Sequence, residues 1–413
     1  MESDLYLSEP FISTWITHFN KGAPSISFDF FGPVSFIKHN LLPLYWNTGK
    51  TNTKGISYTP SLPKSNEHKG KVFLIYDVHK GVELKKDFKK YRIKRLDSEQ
   101  YRGYLCELSR HSSLENYMCH AISKKSRYKF RLYRRKLELS FNIHYKMYYG
   151  DITENEYEFI FDCFKKLLEK RFLNKRVRNN NLNPKEWSFY KKVTFPMILK
   201  KQAALFVVYD EKKPIAITLL NFSKNTAIDV IRTFDIDYAK FRLGTTSLMG
   251  QLQWCIAQGF KTLDFSKGHF GYKQRWSTKS YNFEYHIYYD SNSFLASILA
   301  HTLYALFNVK QFLRKNNFSE IFHKVAFRMH NRNISKHNET NYYFNESPKK
   351  YRQESLLAIN LEDNGNPEHR SLFYDFLYRY SERKADAMPY RIMEKPGLFL
   401  IKGKKSTVEV VLT

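Results

Sequence analysis

Apolar runs and short polar links succeed each other most regularly between Ala203 and Tyr289. Ala203–Asp210, Pro214–Phe222 and Thr226–Thr233 are runs of apolar, aromatic and β-branched residues. Polar links at Glu211–Lys213 and Ser223–Asn225 separate them, so the pattern predicts three antiparallel strands. The period then changes. Phe241-Arg242-Leu243-Gly244-Thr245-Thr246 opens a segment with Leu248, Leu252, Cys255 and Ile256 at helical spacing, closed by Gly259. A short strand is expected at Lys261–Phe265. After it comes a loop that reaches Trp276, and a last strand at Tyr281–Tyr289. The order β-β-β-α-β-loop-β places the chain in the α/β (α+β) class.

The flanks are less regular. Phe11, Trp15, Ile16 and Phe19 predict an amphipathic helix within residues 1–21, and Val72–Val78 and Gly103–Leu108 read as strands. Phe28–Phe31 and Phe36–Tyr45 suit strand or loop, and Asn47–Lys69 a polar loop. Asn155–Phe172 carries the apolar stripe Tyr157, Ile160, Phe161, Phe164, Leu167 and Leu168 of a packed helix, and a loop follows at Asn174–Lys185. Ser291–Val309 has no Asp, Glu, Lys or Arg. Its Ser, Thr, Asn and His301 favour a buried helix over a membrane span, while Lys310, Arg314 and Lys315 would also suit a helix lying on a membrane. Further on, Ser371–Tyr380 reads as a short helix, and Leu398–Ile401 with Thr407–Leu412 as a hairpin.

Composition narrows the class. At 413 residues the chain exceeds one ordinary core. Its 42% hydrophobic content excludes a disordered chain. Cys106, Cys119, Cys163 and Cys255 are too scattered for a zinc signature or a disulfide framework, so no metal is expected and a reducing cytoplasm fits. No signal peptide is read at the acidic start Met1-Glu2-Ser3-Asp4. The net charge of +28 suits a solvated basic surface, a polyanionic cofactor, an anionic membrane face or nucleic acid. Residues 123–136 concentrate it, with eight basic residues in fourteen, as a solvated helix face or an electrostatic funnel.

A glycine at a strand-to-helix turn offers free N–H groups to an anion and room for its approach. Here the turn is Arg242-Leu243-Gly244-Thr245-Thr246, with tight helix packing as the alternative use of the glycine. The Leu243-Gly244-Thr245 turn and the block Asp264-Phe265…Gly268…Tyr272-Lys273…Arg275-Trp276 resemble the GNAT acyltransferase superfamily. Within it they are most similar to the CelD-like branch of cellulose and exopolysaccharide biosynthesis. The basic helix Lys124–Leu137 and Pro10-Phe11…Trp15-Ile16…Phe19 extend the match over residues 10 to 289. The Fem peptidyltransferases are distant relatives that pair two such folds. Three positions depart from the pattern, in two places. His269 and Phe270 stand where the branch has acidic residues, and Phe241 stands where the superfamily has Gln or Arg.

The resemblance implies a GNAT fold, a mixed central sheet flanked by helices, at 116–290 and a degenerate GNAT-like half at 1–115. A helical extension at 291–345 and an appendage at 346–413 would follow. It implies acetyl-CoA or another acyl-CoA as co-substrate, held by Arg242, Leu243, Gly244, Thr245 and Thr246. Acyl transfer to an amine needs a base, a proton donor for the leaving thiolate and a stabilised carbonyl oxygen. His269 is the leading base, since imidazole titrates near neutrality, with a surface histidine as the plain alternative. Asp264 is the second base candidate, or a structural carboxylate. Tyr272 would protonate the thiolate or simply pack. Lys273, Arg275, Arg176 and Arg178 would hold substrate anions, and Trp276 is expected in the core. The expected function is acyl transfer to an amine of a sugar or envelope precursor, in the cytoplasm and peripherally on the inner membrane face. The rivals are a Fem-like transferase using aminoacyl-tRNA and a non-catalytic scaffold on a membrane surface.

Overall fold

The computed structural model describes residues 5–80, 86–316, 342–349, 351–361, 367–393, 395 and 397–412. One eleven-stranded mixed sheet runs through it, in the order β1-β2-β3-β4-β11-β5-β10-β9-β8-β7-β6. Its N-terminal strands are β1 (Ile26–Ser27), β2 (Ser35–Lys38), β3 (Leu44–Asn47), β4 (Val72–His79) and β5 (Ile93–Glu107). The others are β6 (Ile143–Tyr148), β7 (Ala203–Asp210), β8 (Lys213–Ser223), β9 (Thr226–Phe234), β10 (Thr262–Lys267) and β11 (Lys279–Asp290). The three-strand meander, the short strand and the last strand thus form as the pattern predicts. β5 is inserted between β10 and β11 and pairs antiparallel with both. The N-terminal strands therefore share one sheet with the rest.

Helices cover both faces, because the strands of the meander are apolar on both sides. On one face lie α1 (Phe11–Phe19), α4 (Glu154–Lys175) and α5 (Pro184–Leu199), over a core of Phe161, Phe164, Phe189, Leu205 and Ile217. α4 starts at a capping box in which Thr153 and Glu156 satisfy each other's backbone N–H groups. It buries the predicted stripe from Tyr157 to Leu168. On the other face lie α2 (Leu114–Ala121), α3 (Lys124–Ser140) and α6 (Leu243–Ala257). They pack on Phe206, Leu220, Leu263 and Phe265. Trp276 is buried in this core, stacked on Phe130 with ring centroids 5.0 Å apart. The run after β10 is not all loop, since Gly271–Trp276 forms one helical turn, α7.

α8 (Phe294–Lys315) lies on the sheet with Ala296, Ala300 and Phe307 inward. The charge-free run is thus a helix, but it is buried on one face only. Phe294 is 81% exposed and Phe312 65%, and Leu295, Ile298, Leu306 and Val309 also face outward. Among the described residues, no helix is long and apolar enough to cross a membrane. The expected extension at 291–345 lies outside the described residues over 317–341. Beyond it, β12 (Tyr342–Asn345), β13 (Leu356–Ala358), β14 (Met388–Ile392), β15 (Leu398–Lys402) and β16 (Thr407–Leu412) make a second, five-stranded antiparallel sheet. Helix α9 (Pro367–Tyr380) joins this sheet to the main core through Phe373, Tyr374, Phe376 and Leu377. The predicted hairpin is β15–β16.

Candidate active site

β9 and β10 are parallel neighbours but pair only from Thr262↔Thr226 to Asp264↔Ile228. Past Asp264 the register of β10 shifts against β5, and Ser266 takes φ 55, a left-handed value rare for a non-glycine residue. β9 carries its own bulge opposite Leu219/Leu220. The two strands therefore part toward their carboxyl ends, which leaves unpaired backbone edges facing a wedge. α6 begins beside that wedge, after Arg242 in a left-handed conformation at φ 53. Thr245 N–H and Thr246 N–H turn back to the Arg242 carbonyl, at 2.8 and 3.3 Å. Leu243 and Gly244 come before them in the first turn, where no intrahelical acceptor is available.

Polar side chains gather where the strands part. Arg232 pairs through Nε with Asp229 Oδ2 at 2.6 Å and donates to Gln251 Oε1 at 2.7 Å. Its guanidinium lies 5.2 Å from the Tyr272 ring and 5.9 Å from Phe265. Burial pushes the Tyr272 hydroxyl above its ordinary pKa, with Arg232 acting against this, so the phenol stays protonated near neutrality. Asp264 is buried and accepts from Tyr281 Oη at 2.5 Å and Ser266 N–H at 2.7 Å. Desolvation lifts its pKa to about 6, although both hydrogen bonds oppose the shift. Lys273 points inward and donates to the carbonyls of Phe265 and Lys267 at 2.6 and 2.8 Å, and to that of Ser266 at 3.3 Å. Burial lowers its pKa to about 8. Its ammonium closes the turn at the end of β10, so its donors are already engaged with backbone.

The remaining predicted residues are more dispersed. His269 is exposed on the β5 side of β10, with Nδ1 2.6 Å from Tyr104 Oη and Nε2 3.2 Å from Gln274. Arg275 is exposed on α7. Arg176 ends α4 in a left-handed cap, and Arg178 donates to Asn183 Oδ1 at 3.0 Å within the following loop. Gly244 has a packing duty, because a Cβ there would lie 2.9 Å from the Phe234 ring. Arg242 is exposed, Leu243 and Thr246 are buried, and Thr245 is partly exposed.

The N-terminal third shows no catalytic pattern in the sequence, yet it forms one wall of the site. Lys267 Nζ sits 2.7 Å from Asp77 Oδ2, which also accepts from Thr53 Oγ1 at 2.8 Å. Ser266 Oγ donates to the Lys54 carbonyl at 3.3 Å. Burial lowers the pKa of Lys54, and Asp77, Glu186 and Asp229 act against that shift. Partners so far apart in the chain leave no local signal. A separate cluster, also silent in the sequence, joins Glu284, His286 and Asp97. His286 Nε2 is 3.3 Å from Glu284, but Arg95 already neutralises Asp97 at 2.7 Å. Burial lowers the His286 pKa to about 3, and Tyr58 Oη lies 2.8 Å from its Nδ1, so the group is a satisfied polar network.

A comparison with protein-family models matches residues 124–274 to the acetyltransferase (GNAT) domain. No curated protein matches the sequence. Several solved structures resemble it in shape. FemX has 11% identity and a TM-score of 0.45, covering 68% of this chain and 92% of its own. A conserved protein of unknown function from Bacteroides thetaiotaomicron has 12% identity and a TM-score of 0.47, covering 70% and 93%. The C-terminal domain of a putative lysylphosphatidylglycerol synthetase from Agrobacterium fabrum has 9% identity and a TM-score of 0.42, covering 68% and 88%. At these identities and scores nothing about activity passes from them to this chain. The parting strands β9 and β10 and helix α6 all lie inside the segment that matches the acetyltransferase (GNAT) domain.

Proposed function

We propose that this chain is an acyltransferase that moves an acyl group from acetyl-CoA or another acyl-CoA to an amine. The observation that carries the reading is the opening between β9 and β10 beside the first turn of α6, within the segment that matches the GNAT model. In this reading the donor's phosphates approach Arg242, Leu243, Gly244, Thr245 and Thr246, and its thioester enters the opening. The amine nitrogen attacks the thioester carbonyl, the C–S bond breaks, and Tyr272 gives its proton to the departing thiolate. The burial that keeps Tyr272 protonated supports this role. The amine's proton goes to a group at the end of β10. Asp264 qualifies by its place at the parting of the strands, and His269 by its exposure. The CelD-like pattern around Asp264-Phe265 supports an acceptor on a sugar or envelope precursor.

Two observations extend the reading. The outward apolar face of α8, with Lys310 and Lys315 exposed near its end, supports peripheral binding to an anionic membrane. A groove of about 840 Å³ between α2, α3 and α6 is lined by Arg131, Arg134 and Arg135, and although Glu115 and Glu138 pair with the first two, Arg135 and the other cations of α3 support the second donor, an aminoacyl-tRNA. The test is kinetic. Tyr272→Phe and the loss of the true base should each lower kcat, the base by roughly 10²–10⁴-fold, with little change in acyl-CoA affinity. A large effect of Asp264→Asn with none of His269→Ala would assign the base to Asp264, and the reverse to His269. A folded parent that turns over no amine with any acyl-CoA contradicts the enzyme and leaves a scaffold.

A further inference from the structure

Arg171, near the end of α4, is a half-buried cation whose hydrogen-bonding capacity is only partly used. Its Nη1 donates to the Arg232 carbonyl at 3.2 Å, and its guanidinium lies 4.4 Å over the Phe234 ring. Its Nε is fully buried and has no partner. The carboxylates in its neighbourhood are engaged elsewhere. Lys170 pairs with Asp235 at 2.5 Å and Asp237 at 2.6 Å. Arg370 also reaches Asp237, at 3.4 Å, and Arg232 holds Asp229. Arg232 and Tyr272 are the groups that act electrostatically on Arg171, and Arg171 acts in turn on Lys175, one turn further along α4. Arg171, Lys175 and Arg232 thus lie together, and the nearby carboxylates are already held, Asp235 and Asp237 by Lys170 and Asp229 by Arg232.

Location gives this excess a meaning. Phe234 ends β9, and the same ring that Arg171 covers touches the first turn of α6 at Gly244. Tyr272 faces the region from the other side of the opening. A partly desolvated cation without a counter-charge is costly, and an incoming anion would offset that cost. A guanidinium is also the side chain best shaped for the two oxygens of a phosphate or carboxylate. We infer that Arg171, with Lys175 beside it and Arg232 behind, holds an anionic group, a phosphate or carboxylate, of a substrate that enters between β9 and α6. The inference deepens the acyltransferase reading and rests on the opening being the substrate cleft.

The anion belongs either to the donor or to the second substrate, and calorimetry separates the sources. The probes are inorganic pyrophosphate and coenzyme A. Arg171→Met keeps a long apolar stem over Phe234 and removes the charge. It should weaken pyrophosphate binding about 10- to 100-fold, the span of a charge-assisted hydrogen bond. Thermal melting close to the parent's would show the fold intact, and Arg171→Lys should recover part of the affinity. If Arg171→Met melts early, Lys175→Met replaces it and should weaken pyrophosphate binding in the same direction. Parallel weakening of coenzyme A identifies a donor phosphate. Unchanged coenzyme A affinity places the anion on the second substrate. Equal pyrophosphate affinity in parent and variants, or none in the parent, overturns the site and leaves Arg171 as a brace on Phe234. A parent that binds pyrophosphate through Arg171 but no acyl-CoA would sink the donor reading and keep the anion site.

Discussion

Asp264 carries its carboxyl at the point where β9 and β10 part, and burial there favours the protonated form. The folded-state pKa of about 6 lies above the ordinary 3.8, so between these values the folded protein binds a proton that the unfolded chain has released. Stability must then fall as pH rises from about 4 to 6, by up to about 3 kcal/mol for this group. Asp264→Asn keeps the bond from Ser266 N–H to Oδ1 and reverses the other, with Nδ2 donating to the Tyr281 hydroxyl. It should therefore flatten the stability curve over that window in denaturant titrations and be the more stable protein at pH 7. Parallel curves for parent and variant would contradict the assignment. The sequence pointed to this stretch as a candidate site, but it did not tell which side chains turn in. Lys273 and Arg275 look alike in the chain, yet α7 turns Lys273 onto three carbonyls and leaves Arg275 in solvent. That division follows from the bulge at Ser266 and the helical turn after Phe270, neither of which has a sequence pattern of its own.

At the scale of elements, legibility followed the source of each element's stability. β7, β8, β9 and β11 are apolar on one or both faces, and α4 has a capping box and a clear stripe, so local pattern and burial agree. β5 was legible only at its end, Gly103–Leu108, because Lys94, Arg95, Asp97, Glu99 and Arg102 hide its first half. That half is held as a strand by its pairing with β11. α5 contains Pro196 and packs in one layer with α1 and α4, so tertiary contact overrides its local signals. The charge-free run up to Val309 in α8 read as buried, whereas one of its faces is open. If that face meets a membrane, the protein should sediment with vesicles rich in anionic lipid. Leu306→Glu with Val309→Glu should abolish sedimentation, and salt should weaken it through Lys310 and Lys315. Sedimentation unchanged by the double substitution, or none with the parent, would contradict a lipid contact at α8.

For the whole molecule, the α/β class and the meander were readable, but the joining of the N-terminal strands to the same sheet was not. β5 passes between β10 and β11, and Asp77 and Lys54 reach the end of β10 from the N-terminal third. The N-terminal third thus walls one side of the candidate site, which ties it to the whole sheet. The net charge of +28 leaves two polyanionic donors in competition, acyl-CoA and aminoacyl-tRNA. Calorimetric titration of the full chain with acetyl-CoA, longer acyl-CoAs and tRNA separates them most directly. The account predicts saturable binding of an acyl-CoA at one site per chain, and tRNA binding that collapses as salt rises, as expected of backbone contacts alone. Binding of aminoacyl-tRNA that persists in salt, with no heat from an acyl-CoA of any length, would contradict it.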